Sequence, residues 1–171
     1  MKHVFYIAIF MIAFTSCQKQ QKIGFVDNGK VINEYQQKKD LEVKYQAKNS
    51  DFEKRADSIG RAFQLEAQNF QAKVKTMSPK TQQEKYQALG QKQQTLQKQM
   101  QSEQQQIQKE FQTEIDSVIS KVKDYVKDYG EKNGYTYILG TSDASATVLY
   151  GKDENDLTQT ILDALNKEYK K

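Results

Sequence analysis

Tryptophan is missing from this chain of 171 residues, and histidine, cysteine and proline occur once each, as His3, Cys17 and Pro79. A single cysteine rules out an internal disulfide. The only histidine lies inside a stretch that reads as an export signal, so the mature chain offers no imidazole base, no His-based metal cluster and no cysteine nucleophile. Any catalysis would have to run on carboxylates, hydroxyls or lysines. Neither GxGxxG nor GxxxxGK followed by Ser or Thr occurs, which removes the usual phosphate-binding loops. The acidic run "KDENDLTQT" lacks the glycine and the bidentate glutamate of a calcium loop, counting from Asp153, and helix capping explains it better. Ser142 and Asp143 in "GTSDAS" read as a turn, and Asp51 and Glu53 as solvated charges. No catalytic, metal or cofactor constellation is expected.

Oil-like residues are scarce as well. Hydrophobic types make up 37% of the chain against 28% charged, thin for a compact globule. Gln91 to Gln112 is half glutamine, 11 of 22 residues. The middle of the chain cannot hold a thick core.

What is present begins with "MKHVFYIAIFMIAFTSC": one lysine, an apolar run from Val4 to Phe14, and small residues before Cys17. This reads as a signal peptide over residues 1–16, too short to span as a mature helix. "FTSC" resembles a bacterial lipobox, with Phe14 where leucine is usual, which would make Cys17 a lipidated first residue and 17–21 a tether. The other reading of Cys17 is a free or disulfide-bonded cysteine in an ordinary secreted protein.

"IGFVD", Ile23 to Asp27, reads as a strand ending in a capping aspartate. From Val31 to Met77 there is no proline and one glycine, so helix is expected throughout. Ser78 and Pro79 mark the break, Ser78 as cap and Pro79 at a first helical position, with Thr81 and Glu84 as an alternative capping box. A second helix then runs to about Tyr129, where Gly130 and Gly134 punctuate. At about 1.5 Å per residue each helix would reach roughly 70 Å, so an antiparallel hairpin with its tip near 78–79 is the simplest arrangement. "YTYILG" and "ATVLYG" read as further short strands. "DLTQTILDALNKEY" reads as a helix with a capping box from Asp156 to Gln159 and a stripe of Leu157, Ile161, Leu162 and Leu165. The expected fold class is α+β, mostly α. A small β-rich body (22–35 plus 130–171) carries a long coiled-coil-like helical arm (36–129).

Apolar residues of the arm recur every eleven positions: Leu89, Met100, Phe111, Val122; Leu96, Ile107, Val118, Tyr129; and Leu41, Phe52, Phe63, Val74. Eleven residues in three turns give a nearly straight or slightly right-handed seam, although local heptad steps such as Tyr45, Phe52, Ile59 exist too. One narrow seam holds two helices and leaves the rest of each circumference polar. Gly60 either permits bending or is a tolerated surface glycine.

Between Lys73 and Lys98 six lysines face Glu84 alone, so the tip is positive, while the segment from Thr136 onward has four lysines against six acids. A positive tip attracts anionic surfaces at low salt, acidic lipid head groups or acidic client chains. Lys73, Lys75, Lys80 and Lys85 are the residues expected to make that contact. Export disfavours nucleic acid as a partner.

The signal sequence, the "IGFVD" strand, the polar hairpin and the closing "TVLYGKDENDLTQTILDALNK" together resemble the Skp (OmpH-like) family of periplasmic chaperones. The resemblance implies that the β-rich body is the oligomerisation body of a homotrimer, with bodies joined at the base and three arms around a cavity. It also implies ATP-independent holding of unfolded outer-membrane proteins in the periplasm, with no enzyme activity. The lipobox departs from the soluble members and implies a membrane-anchored lipoprotein. The residues after Cys17 lack the acidic run of a surface-export signal, so a periplasm-facing position is expected. A rival reading of the same residues is a lipid-anchored coiled-coil spacer or scaffold of the cell envelope.

Overall fold

The computed structural model describes residues 21–142 and 145–170. The signal-peptide and lipobox readings, Cys17 included, lie outside the described residues. Strand β1 (Ile23–Asp27) turns Gly24 and Val26 inward, and the Asp27 carboxylate accepts the N–H of Lys30 at 2.9 Å to cap helix α1 (Asn28–Glu34). Tyr35 then breaks the chain with extended backbone (ψ 123°), and helix α2 (Gln36–Lys73) starts afresh. The helix expected to run unbroken from Val31 is therefore interrupted once. The cause is tertiary: the Tyr35 ring is fully buried, edge-on to Tyr169 at 6.0 Å, and its hydroxyl donates to Gln37 at 2.9 Å. Filling the body core outweighs one turn of helix continuity.

Strand β2 (Tyr137–Thr141) pairs with β1 in parallel, Ile23 opposite Tyr137 and Asp27 opposite Thr141, so the entire arm forms the crossover. The chain returns a third time beside β1, where the Leu157 N–H donates to the Phe25 carbonyl and the Asp27 N–H to the Thr158 hydroxyl, each at 2.9 Å. Helix α4 (Thr158–Tyr169) follows, and Leu157, Ile161, Leu162 and Leu165 close the body core against Val26, Val31 and Tyr35. The apolar stripe lies where the sequence pattern put it. The capping box is only half made: the Asp156 carboxylate accepts from Thr158 N–H at 2.8 Å, but the Gln159 amide turns forward to Asp163.

"ATVLYG" does not form a strand. Among the described residues from Ser145 to Gly151 there is only an isolated bridge between Ser142 and Ser145, and Leu149 and Tyr150 stand 90% and 86% exposed. A strand exists only by pairing, and among the described residues none of 146–151 pairs with another segment.

The two arm helices are unequal, 38 residues for α2 and 54 for α3 (Pro79–Lys132), where similar lengths were expected. The excess arises because α3 continues past the arm and becomes a wall of the body, where Gly130 is buried and the Ile138 side chain lies close to the space a Cβ there would take. It stops at Asn133 and Gly134, the latter at φ 70°. At the far end α2 tightens into a 3-10 turn (Val74–Thr76), and the Ser78 hydroxyl caps α3 by accepting Thr81 N–H at 3.3 Å. Pro79 sits in the first turn, where its missing N–H costs nothing. The Gln82 amide donates to the Val74 and Met77 carbonyls at 2.9 and 3.0 Å, satisfying acceptors that the end of a helix leaves open.

Between the helices runs the expected thin seam. Every residue of the eleven-spaced columns is buried or half-buried: Leu41, Phe52, Ile107, Val118 and Val122 fully, and Phe63, Val74, Leu89, Leu96, Met100, Phe111 and Tyr129 in part. Tyr45 packs on Phe111 at 5.1 Å and Phe70 edge-on to Tyr86 at 4.8 Å. Each such ring or branched chain removed from water is worth roughly 2 kcal/mol, enough to pair the helices along a single line.

Candidate functional site

The arm has two flanks and a tip. Along one flank basic residues of α2 meet acidic residues of α3: Lys44 with Glu114 at 2.7 Å, Lys48 with Glu110, and Arg55 with Glu103 at 2.5 Å. Nearer the tip the signs reverse, Glu66 accepting from Lys92. In each pair the partners stand equally far on either side of Pro79. Lys44, Arg55 and Glu66 are eleven residues apart, as are Lys92, Glu103 and Glu114. The charges thus repeat with the period of the seam and fix the same register. The sequence carried this signal as opposite charges symmetric about the proline, and reading apolar columns alone passed over it.

Exposed ion pairs contribute little stability. Their value lies in register, since a slip of one helix past the other would set these charges against mismatched neighbours. The best-formed cluster joins Lys44, Lys48, Glu110, Glu114 and the Tyr45 hydroxyl, which donates to Glu114 at 2.7 Å. The hydrogen bond from Lys48 holds the Glu110 carboxyl below its usual range, and those from Lys44 and Tyr45 do the same for Glu114. Burial, reinforced by Glu114, pushes the Tyr45 hydroxyl up to about 12.

On the opposite flank an open hollow of about 500 Å³ has Tyr45, Ile107 and Phe111 in its floor and Gln46, Asn49 and Gln108 on its rim. A second hollow of about 270 Å³ opens near the tip on the flank of the ion pairs, beside Glu66 and Lys92, with Phe70, Met77 and Leu89 flanked by Lys73 and Lys85. Lys73, Lys75, Lys80 and Lys85 are all exposed. None of the four lies within 4.0 Å of a carboxylate among the described residues, whereas Lys92, counted with the tip charge in the sequence, is neutralised by Glu66. The structure gathers the four lysines around the turn and leaves them free.

At the base a third surface is open: Ile23, Tyr137 and Leu139 of the strand pair and Leu149 and Tyr150 of the following loop are all exposed. One face of the strand pair packs on the helices of the body, and these side chains leave the rest apolar and open. Among the described residues no helix is long and apolar enough to cross a membrane.

The architecture is thus a small base whose strand pair is split in sequence by a long helical hairpin. The profile of the family described as outer membrane protein (OmpH-like) matches residues 22–165. The chain belongs to the OmpH-like family. No curated protein matches it. Its fold is similar to a crystal structure from Caulobacter crescentus CB15, titled as an OmpH-like outer membrane chaperone candidate, with a TM-score of 0.76 and 14% identity over 86% of this chain and 85% of that one.

Proposed function

We propose that the protein is an ATP-independent holdase of the periplasm that binds unfolded outer-membrane proteins between its arms and so keeps them from aggregating. The observation that carries this is the shape of the arm: a hairpin joined along one thin seam, with shallow open hollows on both flanks in place of a closed pocket. Such a surface offers many weak contacts and no single lock, which suits a chain without fixed structure. Membership of the OmpH-like family and the fold shared with the Caulobacter chaperone candidate support the same reading.

The working unit is a homotrimer, supported by the exposed apolar residues and the incomplete sheet at the base, which neighbouring copies would cover. Cys17 carries the lipid that anchors the protein to a membrane, facing the periplasm. The four tip lysines meet acidic client segments or anionic head groups.

The test mixes the purified protein with a urea-unfolded outer-membrane β-barrel on dilution. Aggregation suppressed in proportion to trimer, without ATP, is the expected result. No suppression would leave the envelope spacer as the better account of the same arm.

A further inference from the structure

The two flanks of the arm differ in chemistry. Gln99, Glu103, Gln106, Glu110 and Glu114 recur at helical spacing along one side of α3, and all three glutamates there are tied to cations of α2. Gln97, Gln101, Gln104, Gln108 and Gln112 recur at the same spacing along the other side, across Met100 and Ile107. That second stripe holds five exposed amides and no charge. Only Gln112 spends its amide on a neighbour, donating to Asp116 at 2.8 Å; Gln97, Gln101, Gln104 and Gln108 make no side-chain hydrogen bond among the described residues. The facing stripe of α2 carries Glu42, Gln46, Asn49, Glu53, Gly60, Gln64 and Gln71; of its two carboxylates Glu42 is paired with Lys38 at 2.6 Å. A Cβ built on Gly60, or on Gly90 of α3, meets nothing within 4 Å.

We infer that this amide flank is the surface on which the arm holds an unfolded polypeptide in extended form, an inference that rests on the holdase reading. A glutamine amide carries both a carbonyl acceptor and N–H donors, the same pair that an extended backbone exposes at every residue. It can therefore bond to any chain without reading its side chains. Being neutral, the α3 stripe repels neither acidic nor basic segments and asks no ion to give up its water. The floor of Tyr45, Ile107 and Phe111 supplies an apolar foothold beside it. The amides rise in steps of about 5.4 Å per helical turn, while an extended chain repeats on one face at about 6.7 Å, so no register locks and a held chain can slide. On the other flank the carboxylates are already engaged by Lys44, Lys48 and Arg55.

The test places a photo-cross-linking residue at Gln101 or Gln104, and separately at Gln99 or Gln106, all four exposed so that the fold tolerates the change. Each variant is mixed with a urea-unfolded outer-membrane β-barrel and irradiated, with aggregation followed on the same samples. Client cross-links several-fold stronger from Gln101 and Gln104 are the expected result. Equal yields from the two flanks, stronger yields from Gln99 and Gln106, or no client cross-link from any position while aggregation is still suppressed would overturn the flank and leave the holdase standing. Cross-links formed only to a second copy of this chain would overturn it in favour of contact between arms. Failure of both cross-linking and suppression would remove the holdase reading itself.

Discussion

The side-chain oxygen of Asn166, near the end of α4, accepts the backbone N–H of Gln36 at 2.8 Å. Tyr35 has no side-chain capping bond to offer, so a residue from the far end of the chain caps the first helix of the arm. The direction in which the arm leaves the body is thereby tied to α4. Asn166→Ala should cost about 1 kcal/mol, the usual loss for a helix cap, and lower the thermal midpoint, while Asn166→Asp should retain most of it. Melting followed by circular dichroism checks this, and an unchanged midpoint in Asn166→Ala refutes the cap.

Leu149 and Tyr150 touch little within their own chain, whereas Ile161 is fully buried. Replacing Leu149 and Tyr150 together by serine should leave the secondary structure of the chain intact and shift the assembly towards monomer. Ile161→Ala should instead destabilise the body by about 2–5 kcal/mol by opening a cavity. Sedimentation equilibrium and melting separate the two effects. A double serine variant that associates as the unchanged protein does would show that the base surface is not the interface.

Tyr45 binds its proton more tightly in the folded arm, since burial and Glu114 raise it from 10.0 to about 12. Its contribution to stability is therefore complete below the unfolded value and is lost as the pH rises through that interval. Glu110 and Glu114, both lowered, contribute above the ordinary carboxylate range and lose that contribution as the pH falls through their depressed values. The hairpin should loosen at both extremes. In an absorbance titration of phenolate the latest step should vanish in Tyr45→Phe; a Tyr45 that ionises at the ordinary value in the folded protein contradicts the buried cluster.

Gly60 and Gly90 sit on exposed helix with open space where a side chain would go. Neither position uses the conformational freedom of glycine, since both are helical and Gly134 alone has positive φ among the described residues. Gly60→Ala and Gly90→Ala should each stabilise the arm by about 1 kcal/mol. Should the melting point rise while client release slows, glycine is kept there for motion or close approach. A fall in the melting point would mean that the helix is not regular at those sites.

Reversing Lys73, Lys75, Lys80 and Lys85 to glutamate should weaken binding to anionic vesicles or acidic client segments, with the difference shrinking as salt is added. The four side chains are exposed and make no ion pair among the described residues, so the fold should be indifferent. Unchanged binding at low salt would refute the tip as an anionic contact.

Most of the arm was legible because helices advertise themselves locally. The eleven-residue columns, the Ser78 cap and Pro79 are all short-range signals, and each lies where its pattern implied. What was not legible is what depends on distant partners. Tyr35 is unremarkable in sequence and breaks a helix only because the body core takes its ring. "ATVLYG" has strand composition and no strand beside it. The boundary of α3 could not be seen at Tyr129, since the helix continues to Lys132 over body residues far away in sequence. The charged ladder was present in the sequence all along, and its key is distance from Pro79.

Strand β1 has no partner until the last fifth of the chain emerges, for its neighbour β2 begins only at Tyr137. When the chain emerges in vectorial order, the N-terminal strand must wait unpaired while everything between is still being delivered. Residues flanking the proline meet first and the hairpin zips from its apex backwards, so loop closure at the foot starts from ends that are already neighbours. A chain cut short before Tyr137 should therefore yield a formed rod with no foot, the base being the last and most vulnerable part to mature.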